Sequence, residues 1–259
     1  DFERAMATIR SDVARGLSPA QIACGRADRF KVHPTTIYRW IAAGHARMSD
    51  AELRRKVGYK PRREPSAAKP TSHGPERSYK AFSALPEEGR ARAAEMDTVI
   101  GLSKDSQCIL TLYSRPCKVQ VCLLLPEKTS SAVAAALDML ERAIGKPLFQ
   151  RLFGLVLTDN GCEFSDTEAL ERSAFHGTAR TKVYCCDVRA SQQKGGCERN
   201  HVELRKLLPK GRGISFDDLD GRDLAVVMSQ LNSEPRPSLM GLSHTAMLEA
   251  ADPEAAAAL

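Results

Sequence analysis

Three acidic residues stand where a carboxylate does little for folding. Asp97 lies in the apolar run Met96-Asp-Thr-Val-Ile-Gly-Leu102. Asp159 ends the run Leu155-Val-Leu-Thr158 and is followed by Asn160-Gly161, and Glu198 opens a helical stretch after Gly195-Gly196. Each alone has a plain role: a strand-edge charge, an Asx turn, a carboxylate complementing a helix N-terminus. If the runs holding Asp97 and Asp159 are neighbouring strands, and the helix carrying Glu198 crosses their face, the three converge. Carboxylates that close raise one another's pKa unless a cation neutralises them. Oxygen donors alone point to Mg2+ or Mn2+ rather than zinc. Two such ions about 3.5–4 Å apart stabilise the attacking and leaving oxygens of an in-line phosphoryl displacement. Phosphodiester chemistry is therefore what this set implies. Glu203, five residues beyond Glu198 in the same helix, is turned about 140° away from it and does not share its role.

The elements that must position these acids are readable from hydrophobic patterning. Residues 96–102, 108–114 (CILTLYS) and 118–125 (KVQVCLLL) predict three consecutive strands. SSAVAAALDMLERAIG predicts an amphipathic helix capped by Ser130 or Ser131 and stopped by Gly145. A strand at 155–159, a short helix at 167–173, a strand at 181–186, and helices at about 196–208 and 219–231 follow. Three meander strands, a crossover helix and two further strands describe an α/β fold with a mixed five-stranded sheet and flanking helices. Asn160 and Gly161 are expected to shape the turn that presents Asp159.

Ahead of this region the chain changes character. It holds 38 Lys and Arg against 32 Asp and Glu, a net charge of +6, and Arg47, Arg54, Arg55, Lys56, Lys60, Arg62 and Arg63 crowd one stretch. Such a basic balance favours a polyanionic partner. Residues 1–60 predict a small all-α helix-turn-helix domain. Ser18 caps one helix with Pro19 at its first position, Thr35 or Thr36 caps the next, and Gly44 ends it. Ile37, Trp40 and Ile41 form its apolar stripe, leaving Arg39 on the opposite side. Residues 61–88 read as a basic, Pro-rich linker, and 89–259 as the catalytic core. The eight cysteines show no C-x-x-C spacing, so they are expected to be reduced thiols in a cytoplasmic protein. The longest apolar runs are too short to span a bilayer.

EMDTVIG, LTDNGCEF and QKGGCERNHVELRKLLPKG, with the N-terminal LSPAQIA and TTIYRWI and the later LNSEPRPSL, resemble bacterial insertion-sequence transposases of the type founded on insertion sequence thirty. The resemblance runs from about residue 15 to 250. Three acids in order, with 61 residues between Asp97 and Asp159 and 38 between Asp159 and Glu198, make it specific. It implies an RNase H-like, integrase-like core in which Asp97, Asp159 and Glu198 match the DDE triad that binds two Mg2+ or Mn2+ ions. It also implies cleavage and strand transfer on double-stranded DNA by at least a dimer, in the cytoplasm beside the nucleoid. Arg39, Arg54, Arg55, Lys56, Arg62 and Arg63 are then the expected DNA contacts of the front. Lys194, Arg199 and Asn200 are expected on phosphates near the acids, and Gln193 and His201 in support. The chain departs from the family pattern at Val188, where proline is common, and lacks a bulky aromatic residue in VRASQQKGG. Two other classes fit parts of the pattern: a DNA-binding regulator derived from a transposase but without catalysis, and an RNase H-type nuclease.

Overall fold

The computed structural model describes residues 2–48, 52–53, 73–188, 190–210 and 213–259. The chain divides into two compact units, one of Asp1–Ser66 with Ser233–Ala246, the other of Ala67–Asn232 with Met247–Leu259.

The first unit is built on α1 (Phe2–Ala14), α2 (Pro19–Gly25) and α3 (Pro34–Ala42). Ser18 starts α2 with a full capping box: its hydroxyl accepts from the Gln21 N–H, and the Gln21 side chain accepts from the Ser18 N–H. His33, not Thr35 or Thr36, caps α3, because Pro34 takes the first helical position and leaves the residue before it extended. Met6, Ile9, Val13, Ile22, Ile37 and Ile41 form the core, with Trp40 partly buried edge-on against Phe2. Asp12 is buried and receives both the Nε and a terminal nitrogen of Arg26 at 2.8 Å, which satisfies a charge the core would otherwise exclude. Residues 26–33 join α2 to α3, a longer turn than the three or four residues of a tight helix-turn-helix. The chain returns at 233–246, where buried Glu234 accepts from the Gln21 amide at 2.8 Å. A Cβ on Gly25 would lie 2.7 Å from Pro235.

The first α-helices of the second unit are α4 (Tyr79–Ser83), inside the stretch expected to be linker, and α5 (Glu87–Ala91), which straddles its end. The expectation overlooked two aromatic anchors: Phe82 is buried in a cluster with Leu157, Tyr184 and Cys186, and Tyr79 packs against it. The sheet follows, with β1 (Ala94–Ile100), β2 (Cys108–Ser114), β3 (Gln120–Leu125), β4 (Leu155–Thr158) and β5 (Lys182–Cys185) in the order β3-β2-β1-β4-β5. The first three strands form an antiparallel meander, and β4 and β5 run parallel to β1. This mixed five-stranded order is the RNase H-like arrangement.

Between β3 and β4 run α6 (Ser130–Ile144) and α7 (Lys146–Phe153). Thr129 caps α6 one residue ahead of the expected serines, and Gly145, with φ +80°, ends it. One sheet face, carrying Ala94, Met96, Leu110 and Leu112, packs on Val133, Leu137, Phe149 and Phe153 of these helices. The other face carries Val99 and Ile109 and packs on Leu204, Leu208, Phe216 and Leu224. These last come from α9 (Gly195–Leu207), the turn after it, and α10 (Gly221–Ser233), while α8 (Thr167–Glu171) lies between β4 and β5. The chain closes with α11 (His244–Ala251) and α12 (Pro253–Ala258). Among the described residues no helix is long and apolar enough to cross a membrane. All eight cysteines are free thiols.

Candidate active site

Strand register brings the first two acids together. Ala94 pairs with Val156 and Glu95 with Leu157 across the parallel β1–β4 ladder, so the same offset sets Asp97 level with Asp159. Alternation along β1 then sends Glu95, Asp97 and Val99 to the face covered by α9.

The carboxylates share one design. One oxygen of each is held by backbone: the Thr98 N–H donates to Asp97 Oδ1 at 2.8 Å, and the Gly161 N–H donates to Asp159 Oδ1 at 2.9 Å. The second is the Asx turn expected from Asn160-Gly161, and Asn160 anchors it by donating to the Cys186 carbonyl at 2.7 Å. The other oxygen of each faces a single ammonium. Lys194 Nζ lies 2.9 Å from Asp97 Oδ2 and 3.7 Å from Asp159 Oδ2, with the lysine side chain 5% exposed. It also donates to the Met96 carbonyl at 3.2 Å. Burial pulls the Lys194 pKa down, but the charges of Asp97 and Asp159 outweigh it and the net displacement is upward.

Lys194 was expected at DNA phosphates; the structure corrects this, because its stem is buried and its charge is engaged by the acids. Asn200 is corrected likewise: it lies buried on the inner side of α9, and its amide nitrogen has no hydrogen-bond partner. Gln193 grips the loop instead of a ligand, donating to Asp187 Oδ2 and accepting from the Asp187 N–H, both at 2.8 Å. Glu198 and Arg199 stand exposed in the first turns of α9. Arg39 is exposed on α3 of the first unit. Arg54, Arg55, Lys56, Arg62 and Arg63 lie outside the described residues.

The N-terminus of α9 is fastened against the sheet. Buried Glu95 accepts from the Cys197 N–H at 2.7 Å and from Arg115 Nε at 2.8 Å, while Arg115 donates onward to the Gln193 carbonyl at 3.1 Å. Gly196 permits this approach, since a Cβ there would sit 2.2 Å from the Tyr113 ring. His201 Nε2 meets the Thr111 hydroxyl at 2.8 Å and Cys197 Sγ at 3.5 Å. Burial lowers the His201 pKa, favouring the neutral ring.

Sequence reasoning also passed over Glu163, although it lies in the quoted LTDNGCEF. Its buried carboxylate accepts from the Thr98 hydroxyl at 2.6 Å and pairs with Lys128 at 3.1 Å. Burial draws the Lys128 pKa down, but Glu163 outweighs it, with Cys162 and Asp159 adding to the upward displacement. A second cation thus stands near Asp159. The signal was present in a run of turn residues that placed an acid where an apolar residue would pack.

Two donor sets compete for a metal. Among the described residues, the group of His, Cys, Asp or Glu donors lying within 4.8 Å of one another is Asp97, Cys197 and His201. Burial pushes the Cys197 thiol far up, which keeps it protonated, and the His201 nitrogen is already held by Thr111. Those donors do not suit a thiolate-seeking ion as they stand. Asp97 Oδ2 and Asp159 Oδ2 suit a hard divalent cation: both are oxygens, both backbone-oriented, and both turned toward a positive charge. Neither Asp159 nor Glu198 belongs to the 4.8 Å group of Asp97, Cys197 and His201.

No protein-family model matches the chain. It is 28% identical over 145 residues to the transposase for insertion sequence element IS1086 of Cupriavidus metallidurans, a match covering 56% of this chain and 39% of that protein. The chain thus spans about two fifths of the length of this curated relative. The catalytic core domain of BIV integrase aligns with 63% of this chain and 98% of its own, at 16% identity and a TM-score of 0.43. In sequence the chain is thus similar to an insertion-sequence transposase over part of its length, and its sheet has the RNase H-like strand order.

Proposed function

We propose that the chain is a DDE transposase that cuts DNA at the ends of an insertion sequence and joins the ends to a new site, using Mg2+ or Mn2+. One observation carries this reading: Asp97 and Asp159, with 61 residues between them in the sequence, turn their free oxygens onto one cationic position. In this reading Asp97, Asp159 and Glu198 hold two divalent ions, with Glu198 completing the set from α9. Bound there, the ions supply stabilisation of the attacking and leaving oxygens of a phosphodiester. The chain's own residues supply orientation. Thr98 and Gly161 fix the two aspartates, the Glu95–Cys197 bond sets the helix that carries Glu198, and Arg199 offers an exposed cation to the DNA backbone.

The first unit, with Arg39 exposed on α3, is the proposed sequence-reading module. Joining two element ends calls for at least two copies on DNA. The test is a cleavage and strand-transfer assay on DNA carrying the element's ends with Mg2+. The wild type is expected to join ends to target DNA, and Asp97→Asn and Asp159→Asn to lose joining while retaining DNA binding. Equal behaviour of wild type and Asp159→Asn would identify a DNA-binding regulator instead. Degradation of RNA–DNA hybrids without joining would identify a nuclease.

A further inference from the structure

We propose that the Lys194 ammonium is a tethered counter-ion that occupies the position of a divalent cation between Asp97 and Asp159, and that metal binding requires it to leave. The inference rests on the reading of these two aspartates as metal ligands. Besides the Met96 carbonyl, the Lys194 ammonium reaches both free carboxylate oxygens, and its side chain is buried.

Two cations cannot hold the same two oxygens. At the distances seen, a divalent ion bound by Asp97 Oδ2 and Asp159 Oδ2 would lie against the ammonium, in surroundings where like charges repel strongly. The lysine also neutralises only one of the two carboxylate charges, so the pair keeps a net attraction for a cation of higher charge. That imbalance makes exchange possible, and the four-carbon stem lets the ammonium swing away while the backbone stays in place. Oxygens left unscreened at this spacing would repel each other in the metal-free protein. The tethered charge offsets that repulsion, at the cost of metal affinity.

The experiment measures Mn2+ binding to the full chain by calorimetry at neutral pH, for the wild type, Lys194→Gln, Lys194→Arg and Asp159→Asn. Removing the competing charge is expected to tighten Mn2+ binding about tenfold in Lys194→Gln, while Lys194→Arg, which keeps a cation, stays near the wild type. A second readout uses unmodified protein: acetic anhydride labelling of lysines, read by mass spectrometry. Labelling of Lys194 is expected to rise on adding Mn2+, against unchanged labelling of Lys104 and Lys118. The proposal is overturned if Lys194→Gln binds Mn2+ no more tightly than the wild type, or if Lys194 labelling ignores the metal, while Asp159→Asn loses binding. If Asp159→Asn binds Mn2+ as the wild type does, the ligand reading has failed and the counter-ion goes with it. Should Lys194→Gln not fold, the labelling result on the wild type decides.

Discussion

The two glycines ahead of Glu198 are adjacent, but the structure gives them opposite roles, and exchanging each for alanine tests the seating of α9. A Cβ on Gly195 meets nothing within 4 Å, and its φ of −64° is ordinary for any residue. Gly195→Ala is therefore expected to stabilise the protein by about 0.4–1 kcal/mol, by restricting the unfolded chain. A Cβ on Gly196 would fall 2.2 and 2.6 Å from two carbons of the Tyr113 ring and 3.2 Å from Glu95 Oε2. Tyr113 cannot retreat freely, because it lies in β2 opposite Glu95, whose carboxylate is itself held by Arg115 and the Cys197 N–H. The first turn of α9 must lift instead. Overpacking of this kind costs about 1–3 kcal/mol, and at roughly 2–4 °C per kcal/mol for a chain of this size the melting temperature falls visibly. The same movement shifts Glu198, the proposed third ligand, so DNA joining measured below both melting temperatures should fall by more than the loss of folded protein accounts for. If Gly195→Ala and Gly196→Ala melt together and join DNA equally, the claim that Gly196 seats the helix is wrong.

Three further outcomes follow from contacts described or adjacent to them. Arg180 is fully buried, pairs with Asp138 and Glu141, and donates to the Leu170 carbonyl at 2.8 Å; Arg180→Met should cost about 3–5 kcal/mol in denaturant unfolding, because it leaves the buried Glu141 charge without its cation. Asp105 accepts from the N–H groups of Leu102 and Phe216 and from the Ser215 hydroxyl; burial pushes its pKa up, but these bonds outweigh it and hold the group below its ordinary value of 3.8. Its contribution is present above that value and lost as pH falls through the lower folded value, so Asp105→Asn should be less stable than the wild type at pH 7, with the gap closing in acid. Arg39→Ala should weaken DNA binding and lower the slope of log affinity against log salt by about one if Arg39 meets a phosphate; an unchanged slope removes it from the interface.

The sheet was legible because its strands are short apolar runs with turn residues between them. CILTLYS maps onto β2 without a shift, and LVLTD onto β4 with Asp159 just beyond the strand's end. The convergence of Asp97 and Asp159 was legible too, since it needs only that β1 and β4 be neighbours. Other features depend on distance in space. The eight-residue α7 was missed because its apolar residues Leu148, Phe149, Leu152 and Phe153 sit too close to the next strand to show a full helical period. The return of residues 233–246 to the first unit is made by contacts distant in sequence, among them the buried Gln21–Glu234 pair and Pro235 against Gly25, which no local pattern encodes. Lys194 reads in sequence as one more basic residue in a basic loop. Only the fold shows that its stem runs inward.

That return has a consequence for modularity. The first unit is discontinuous in the chain, contributed by one stretch before the sheet and another after it. A fragment stopping at Ser66 would carry Gln21 without the carboxylate that accepts its amide, and Gly25 without the proline that covers it. Genetic exchange at a single crossover would transfer one piece of this unit and leave the other behind. The unit passes intact between proteins only if both pieces travel with the sheet between them, so it is inherited together with the acids.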